Sequence, residues 1–288
     1  MKNIKGFDGL RGISVIMVTL THLGLKEYLD KNSFLLKHFG LINGSTFVQL
    51  FFVLSGFLIT QVIKNTYYKG GKFQIKIFLY NRLLRLAPVV LIFSFILFLL
   101  ELFNILPNNY TGIFISIISL NNFLPFRYYD IYIGHLWSLS LEDQFYILYA
   151  FTIKYYEKHL LIILSLFLIL CFYCINIFED ISFHFNSKLY KLSNIFFTDR
   201  WFIPTSYPLI FGTIISLKSK LIVNFFKKYL IKNILFFFFL FFFFSEVLFP
   251  SFLRHYFIFQ KLFLFVFFYY TYTLIKTLFL LKYWNLKY

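Results

Sequence analysis

The sequence predicts an all-α, polytopic transmembrane helix bundle because of its apolar composition, the length of its apolar runs and the placement of its charges. Of the 288 residues, 60% are hydrophobic and only 14% are charged, whereas soluble domains carry about a quarter charged residues. Apolar runs of about 20 residues are long enough to cross the hydrocarbon core as helices. These runs do not alternate apolar and polar residues, as the strands of a membrane barrel do.

About eight membrane spans are expected, each near the length that a bilayer requires. A ninth apolar piece, 112–124, is short and contains two asparagines, so it is expected to be a re-entrant or interfacial segment. No linker rich in Gly, Pro or Ser divides the chain, which predicts a single domain over residues 1–288. The predicted spans are 13–25, 47–63, 88–103, 137–153, 160–178, 201–217, 230–249 and 256–275.

The basic residues are topology signals rather than a nucleic-acid surface, because they stand in clusters between apolar runs. If the N-terminus is cytoplasmic and 112–124 does not cross, about two thirds of the 28 Lys and Arg lie on the cytoplasmic side, as the positive-inside rule favours. We therefore expect a multi-pass protein of the inner (plasma) membrane with an uncleaved first span. Cys171 and Cys174 lie in one apolar run and are expected only to pack, so neither a disulfide nor a metal site is predicted.

The first predicted span contains two ionisable side chains, which are costly to keep in lipid. Arg11 and His22 are eleven residues apart, which places them on one helix face and separates them by roughly 16 Å along the axis. Histidine exchanges a proton near neutral pH, as the activation of a hydroxyl requires. A helix–helix hydrogen bond by His22 and a snorkelling Arg11 are the structural alternatives.

Two further polar groups stand out. Arg82 and Arg85 share a helix face and present planar forks that suit phosphates, either of a ligand or of anionic lipid headgroups. The block 135–144 places many polar groups at the start of an apolar run, and a Glu142 that points into the bundle is predicted to pair with His22 or to hold a hydroxyl. Trp137 in that block suits an aromatic belt equally well.

Four blocks in this order resemble the membrane-bound acyltransferase family 3, the family of bacterial O-antigen and exopolysaccharide O-acetylases. The resemblance covers roughly the first 150 residues and rests on the combination of blocks, since each alone is unspecific. The blocks are FDGLRG at 7–12 with His22, FFVLSGFLI at 51–59, RLLR at 82–85 followed by Pro88, and HLWSLSLEDQFY at 135–146.

The resemblance implies catalytic and donor-binding residues. Arg11 and His22 match the family's essential pair, with His22 as general base. Arg82 and Arg85 match its twin-arginine motif, which with Arg11 would hold the phosphates of a cytoplasmic acyl-CoA donor, most simply acetyl-CoA. Glu142 matches its acidic residue and would orient the acceptor or His22.

The remaining expected roles concern the acceptor and the support of the site. Trp137 and Ser138, with Glu142, are expected to bind the acceptor. Asp8 matches the acid that opens the first motif. Gly56 is expected to allow close helix packing rather than to serve catalysis.

The similarity becomes weaker after residue 150, where Arg200 and 209–212 still match but Pro204 and Pro208 depart from the family's pattern. Acceptor specificity is expected to reside there. The family's pattern continues with further helices after the point at which this sequence stops, so truncation is also expected.

The sequence as a whole predicts an O-acyltransferase that moves an acyl group from cytoplasmic acyl-CoA to a hydroxyl of a cell-surface or lipid-linked glycan. A transporter or flippase for glycans or lipid-linked sugars is the alternative, because a stripe of polar residues also suits a translocation path. An inactive, truncated family member is the third hypothesis. The expected partners are acyl-CoA, the glycan acceptor and membrane lipid.

Overall fold

The computed structural model describes residues 7–23, 44–69, 72–183 and 195–228, and within these ranges the chain is helical apart from one small hairpin. Two strands of two residues each pair antiparallel between the second and third helices. The helices are α1 (Phe7–His22), α2 (Gly44–Thr66), α3 (Ile75–Leu102), α4 (Tyr110–Ile117), α5 (Leu136–Tyr156), α6 (Leu160–Phe183), α7 (Phe202–Thr205) and α8 (Tyr207–Lys228), and the strands are β1 (Tyr68–Lys69) and β2 (Lys72–Phe73).

Three stretches of the described chain are long and apolar enough to cross a membrane, which supports the predicted class of fold. They are Phe47–Thr66, Ile75–Leu102 and Leu136–Ile175, and the last covers α5 and much of α6. The predicted spans 230–249 and 256–275 lie outside the described residues, as does the end of the span 13–25. The number of eight spans therefore stays a prediction.

The described residues group into two compact units, one within Met1–Leu54 and Phe211–Tyr288 and the other within Ser55–Ile210. In the first unit, the guanidinium carbon of Arg11 on α1 lies 5.0 Å from the centre of the Phe51 ring on α2. A Cβ at Gly44 would lie 3.1 Å from Thr21 Cγ2, so the start of α2 packs closely against the end of α1. The prediction of a single domain is not tested by this division.

In the second unit, α3 and α5 run antiparallel. Phe93 on α3 lies 5.5 Å from the ring of His135, which precedes α5, whereas the Arg82 guanidinium lies 3.8 Å from the ring centre of Tyr146. The later residues of α3 therefore lie beside the start of α5, and the earlier residues of α3 lie beside the later part of α5. α4 and the turn after it pack on these two helices and close an apolar core. The core consists of Leu97, Ile113, Leu124, Ile133 and Leu136.

α5 and α6 form a helical hairpin, because one segment contacts the start of α5 and the middle of α6. Arg200 lies 5.6 Å from the ring of Trp137 in the first turn of α5. Ser206, a few residues later, lies 3.5 Å from Cys171 Sγ on α6. The second unit thus has a loop end, formed by residues 126–135 and 195–201. The opposite end, the hairpin end, contains β1, β2 and the turn at 157–159.

The short apolar piece 112–124 does not form a span. α4 has eight residues, about 12 Å of helix, and the chain turns after it at Ser119, whose φ is 54°. A contact at the hairpin end agrees with this. Tyr68 donates a hydrogen bond of 2.7 Å to Glu157, and the pKa of Tyr68 is raised by burial and by this carboxylate. The basic segments 64–85 and 154–158 therefore lie at the same end of the second unit. If 112–124 crossed the membrane, these two segments would lie at opposite ends.

Two predicted boundaries are wrong. The predicted span 88–103 is the second part of one 28-residue helix, α3, which begins at Ile75 and contains Pro88. The predicted span 201–217 is broken at Ser206, between α7 and α8. Pro208 lies in the first turn of α8, where its missing N–H removes no helical hydrogen bond, so it favours the start of a new helix at Tyr207.

Gly56 on α2 lies against the backbone at the start of α8, where an added Cβ would be 2.8 Å from the carbonyl carbon of Leu209. Backbone atoms, unlike a flexible side chain, have no alternative rotamer that would relieve the overlap. We therefore expect Gly56→Ala to lower the free energy of unfolding by about 1–3 kcal/mol. Unfolding of the purified protein in mixed detergent micelles measures this. Gly12→Ala is the matched control, because a Cβ there meets no described atom within 4 Å. Equal stability of both variants would contradict the close packing.

Candidate active site

Arg82 is the centre of a charged cluster in the second unit. It projects from α3 toward α5, where its Nη2 lies 3.5 Å from Asp143 Oδ1 and 3.7 Å from Glu142 Oε1. The same guanidinium lies over the ring of Tyr146, 3.8 Å from its centre. Only 20% of the Arg82 side chain is exposed, compared with 5% for Glu142. The cluster is therefore an ion pair with a cation–π contact, largely removed from solvent.

The spacing of residues on α5 creates the acidic half of this cluster. Glu142 and Tyr146 are four residues apart and so share one helix face, and the Tyr146 hydroxyl donates a hydrogen bond to Glu142 Oε1. Tyr146 is buried, and its ring covers the guanidinium of Arg82. Glu142 is held by one cation and one neutral donor, which compensates for the loss of water around its charge.

Asp143 is held from the other side by the turn that follows α4. Ser119 Oγ donates to Asp143 Oδ2 at 3.3 Å. Gln144 also stabilises this turn. Its Nε2 donates hydrogen bonds to the Ser119 carbonyl at 2.8 Å and to the Asn122 side-chain oxygen at 2.7 Å. The neighbouring Asn121 donates to the Ile133 carbonyl at 2.7 Å. The polar turn 119–122 thus replaces water around the acidic residues of α5.

The cluster contains one guanidinium and two carboxylates and lies among apolar helices. Arg82 Nε is buried and has no hydrogen-bond partner among the residues that the structure describes. Ionisable groups within membrane helices are costly and mark functional sites more often than elsewhere. The arrangement places two acidic side chains beside one cation within the helix bundle.

The structure places the predicted site residues in both units. Glu142 points into the bundle, where its partners are Arg82 and Tyr146; the expected pairing with His22 stays a prediction. His22 is the last residue of α1 and is exposed. Arg11, also on α1, is partly buried beside Phe51.

The two arginines of the RLLR block have different surroundings. Arg82 is engaged by two acids, whereas Arg85, one helical turn further along α3, is exposed. They therefore do not present two equivalent forks to one ligand. The phosphate-binding role that the sequence suggested fits Arg85 better than Arg82.

The predicted acceptor residues lie in the first turn of α5, at the loop end. Ser138 Oγ donates to the carbonyl of His135 at 3.1 Å, and the ring of Trp137 lies 5.6 Å from the guanidinium carbon of Arg200. The side chain of Asp8 lies outside the described residues. Gly56 supports the bundle through its close approach to Leu209.

Sequence reasoning did not assign roles to several members of the cluster. The spacing of Glu142 and Tyr146 is a usable signal, because residues four apart on a helix meet. Asp143 gives no such signal, since its partners Arg82 and Ser119 come from other segments. Among the described residues no group of three or more His, Cys, Asp or Glu is placed to hold a metal ion.

Several known proteins are similar to this chain, and three of them are named as O-acetyltransferases as follows. A Staphylococcus aureus strain COL protein named as a putative O-acetyltransferase is 32% identical over 161 residues, which are 52% of this chain and 24% of that protein. The peptidoglycan O-acetyltransferase OatA of Listeria monocytogenes is 31% identical over 51% of this chain and 24% of its own length. The O-acetyltransferase OatA of Staphylococcus aureus strain NCTC 8325 is 28% identical over 53% and 25%.

The matched segment spans about a quarter of the length of these relatives. No solved structure matches the chain. A family model described as an acyltransferase domain matches residues 4–286, nearly the whole sequence. The chain therefore belongs to the acyltransferase family 3, as its four sequence blocks predict.

Proposed function

We propose that this protein is an O-acyltransferase of the inner membrane, which transfers an acyl group, most simply acetyl, from cytoplasmic acyl-CoA to a hydroxyl of a cell-surface or lipid-linked glycan. Family membership and relatives named as O-acetyltransferases support acyl transfer. The observation that carries the proposal is the cluster of Arg82, Glu142, Asp143 and Tyr146, because ionisable groups within membrane helices are costly and commonly mark functional sites.

A cytoplasmic N-terminus is part of the proposal. The basic segments 64–85 and 154–158 lie together at the hairpin end, through the contact of Tyr68 with Glu157. The positive-inside rule favours the cytoplasm for this end. The loop end, with Trp137 and Ser138, then faces outward, where a surface glycan is reached.

The two arginines of α3 are assigned different tasks. Arg85 is exposed and offers a planar fork to the phosphates of the donor, together with Arg11. Arg82 is already bonded to Glu142 and Asp143, so its main task is to orient both carboxylates. Glu142 then orients the acceptor hydroxyl or His22.

His22 is proposed as the general base. As the acceptor oxygen forms a bond with the acyl carbon, the proton of the hydroxyl passes to the imidazole. The carbon–sulfur bond of the thioester breaks, and the sulfur leaves with the electron pair and receives that proton. A glycan ester and the free thiol are the products, and no metal is required for this balance.

The test is transfer by the purified chain in lipid nanodiscs, supplied with radiolabelled acetyl-CoA and an oligosaccharide acceptor. Label in the saccharide, with a mass increase of one acetyl group and release of one thiol per ester, is the expected result. If the chain in sealed vesicles moves the saccharide across the membrane without forming an ester, the transporter hypothesis is supported instead. If neither transfer nor movement is observed, the hypothesis of an inactive family member is supported.

A further inference from the structure

Arg200 lies in a cage of aromatic rings at the loop end. Its guanidinium carbon is 4.0 Å from the ring centre of Phe197, 5.1 Å from that of Tyr129 and 5.6 Å from that of Trp137. Phe197 is close to Arg200 in sequence, but Tyr129 and Trp137 come from a segment more than sixty residues earlier. Three rings around one cation restrict its motion and fix its position.

The backbone holds the two segments of this cage together. Phe126 N donates to the Ile195 carbonyl at 2.8 Å, and Pro125 and Phe196 form an antiparallel bridge. Gly134 leaves the space that the Tyr129 ring occupies, because a Cβ there would overlap the phenol. Tyr129 also packs on Phe197, with ring centres 4.8 Å apart. The cage is therefore a built feature of the fold rather than a chance contact.

The guanidinium of Arg200 makes no hydrogen bond or ion pair with any residue in the described ranges. The side chain is partly exposed, and so is Tyr129, at 37%. The contrast with Arg82 is informative, since Arg82 uses its charge on two carboxylates of its own chain. Arg200 presents a positioned planar fork, and such forks bind carboxylates with two parallel hydrogen bonds.

We propose that Arg200, Trp137 and Tyr129 form a subsite for an acidic acceptor saccharide, with the guanidinium on a sugar carboxylate and the rings against the C–H face of the sugar. The inference rests on the proposed function for its choice of a saccharide. Tyrosine and tryptophan suit this task because each has an apolar body and a polar edge. Trp137 lies in the first turn of the helix that also bears Glu142, about 7.5 Å further along the axis. A saccharide bound at the cage thus lies at the start of that helix.

The test is binding without any acyl donor, using the full chain in phosphatidylcholine nanodiscs and isothermal titration. The probes are a tetrasaccharide of alternating glucuronic acid and N-acetylglucosamine, and the same tetrasaccharide with its carboxyl groups reduced to alcohols. The wild type is expected to prefer the acidic probe about tenfold or more, as a charge-assisted hydrogen bond provides. Arg200→Gln is expected to abolish this preference, and Arg200→Lys, which keeps the charge but loses the fork, to reduce it.

Arg127→Gln is the matched control. Arg127 lies at the same end, and its guanidinium carbon is 4.4 Å from the ring of its neighbour Tyr128, so it shares charge and ring contact but lies outside the cage. It is expected to keep the preference. Three results would overturn the subsite. The wild type could show no preference for the acidic probe, both Arg200 variants could keep the preference, or Arg127→Gln could lose it to the same extent as Arg200→Gln.

A second arm separates a saccharide from a lipid headgroup as the ligand. If phosphatidylglycerol in the nanodisc removes the preference for the acidic probe, the cage binds lipid phosphate and the proposal fails. Acetyl transfer to a neutral saccharide with no acidic preference would refute the subsite while leaving the acyltransferase function intact. If no acetyl transfer occurs but the preference for the acidic probe is preserved, the acyltransferase function is refuted and the subsite is kept.

Discussion

Arg82→Gln is expected to destabilise the protein strongly and to abolish acyl transfer. It leaves Glu142 and Asp143 without their shared cation in a mostly buried site. Removing one partner of a buried ion pair costs about 3–5 kcal/mol, because the remaining charge is stranded. Chemical unfolding in mixed detergent micelles measures the stability, and labelled acetyl-CoA measures the transfer.

Arg85→Gln is the matched control for this experiment, since it removes an exposed arginine from the next turn of the same helix. Its stability is expected to stay within about 0.5 kcal/mol of the wild type, while its Michaelis constant for the donor rises. Adding Glu142→Gln to Arg82→Gln is expected to recover part of the lost stability but none of the activity, because one stranded charge is removed. Equal destabilisation by Arg82→Gln and Arg85→Gln would show that the ion pair contributes little.

His22→Ala is expected to reduce the turnover number for acetyl transfer by about 10²–10⁴, the range that general-base catalysis provides. His22 ends α1 and is exposed, so folding is expected to be unaffected. The loss should appear in the turnover number, with the Michaelis constant of the acceptor little changed. Partial recovery on addition of free imidazole would identify proton transfer as the missing step.

Thr19→Ala serves as the control on the same helix. Thr19 is exposed, and its hydroxyl bonds only within α1, to the Val15 carbonyl at 2.9 Å, so this variant is expected to keep full activity. Undiminished turnover in His22→Ala would remove the proposed base. A variant with lower turnover and a lower unfolding midpoint, unaffected by imidazole, would point to a structural role for His22.

The sequence was most informative about single helices. Hydropathy located the ends of α2, α5 and α6 within a few residues, because an apolar run long enough for a bilayer consists of consecutive residues. It failed where local chemistry competes with hydropathy. A new helix begins at Tyr207 with Pro208 in its first turn, whereas α3 continues across Pro88 without ending.

The candidate site shows the same division. The four blocks pointed to Arg82 and Glu142 as functional residues, but their contact with each other was not predicted. A helical period gives the direction of a side chain from its own axis, whereas its neighbour depends on which helix packs there. The contact of Arg82 with Asp143 joins residues on different helices, and that of Arg200 with Trp137 joins a loop to a helix, each across about sixty residues of chain.

The amino-acid order alone therefore determined the helical class, most helix positions, the family and the residues that are too costly to be incidental in lipid. Tertiary structure alone decided that Arg82 pairs with two acids while Arg85 stays exposed, and that Arg200 reaches the start of α5. The physical reason is that helix formation and burial in lipid are local properties of a segment. The pairing of buried charges is set by packing between segments that are distant in sequence.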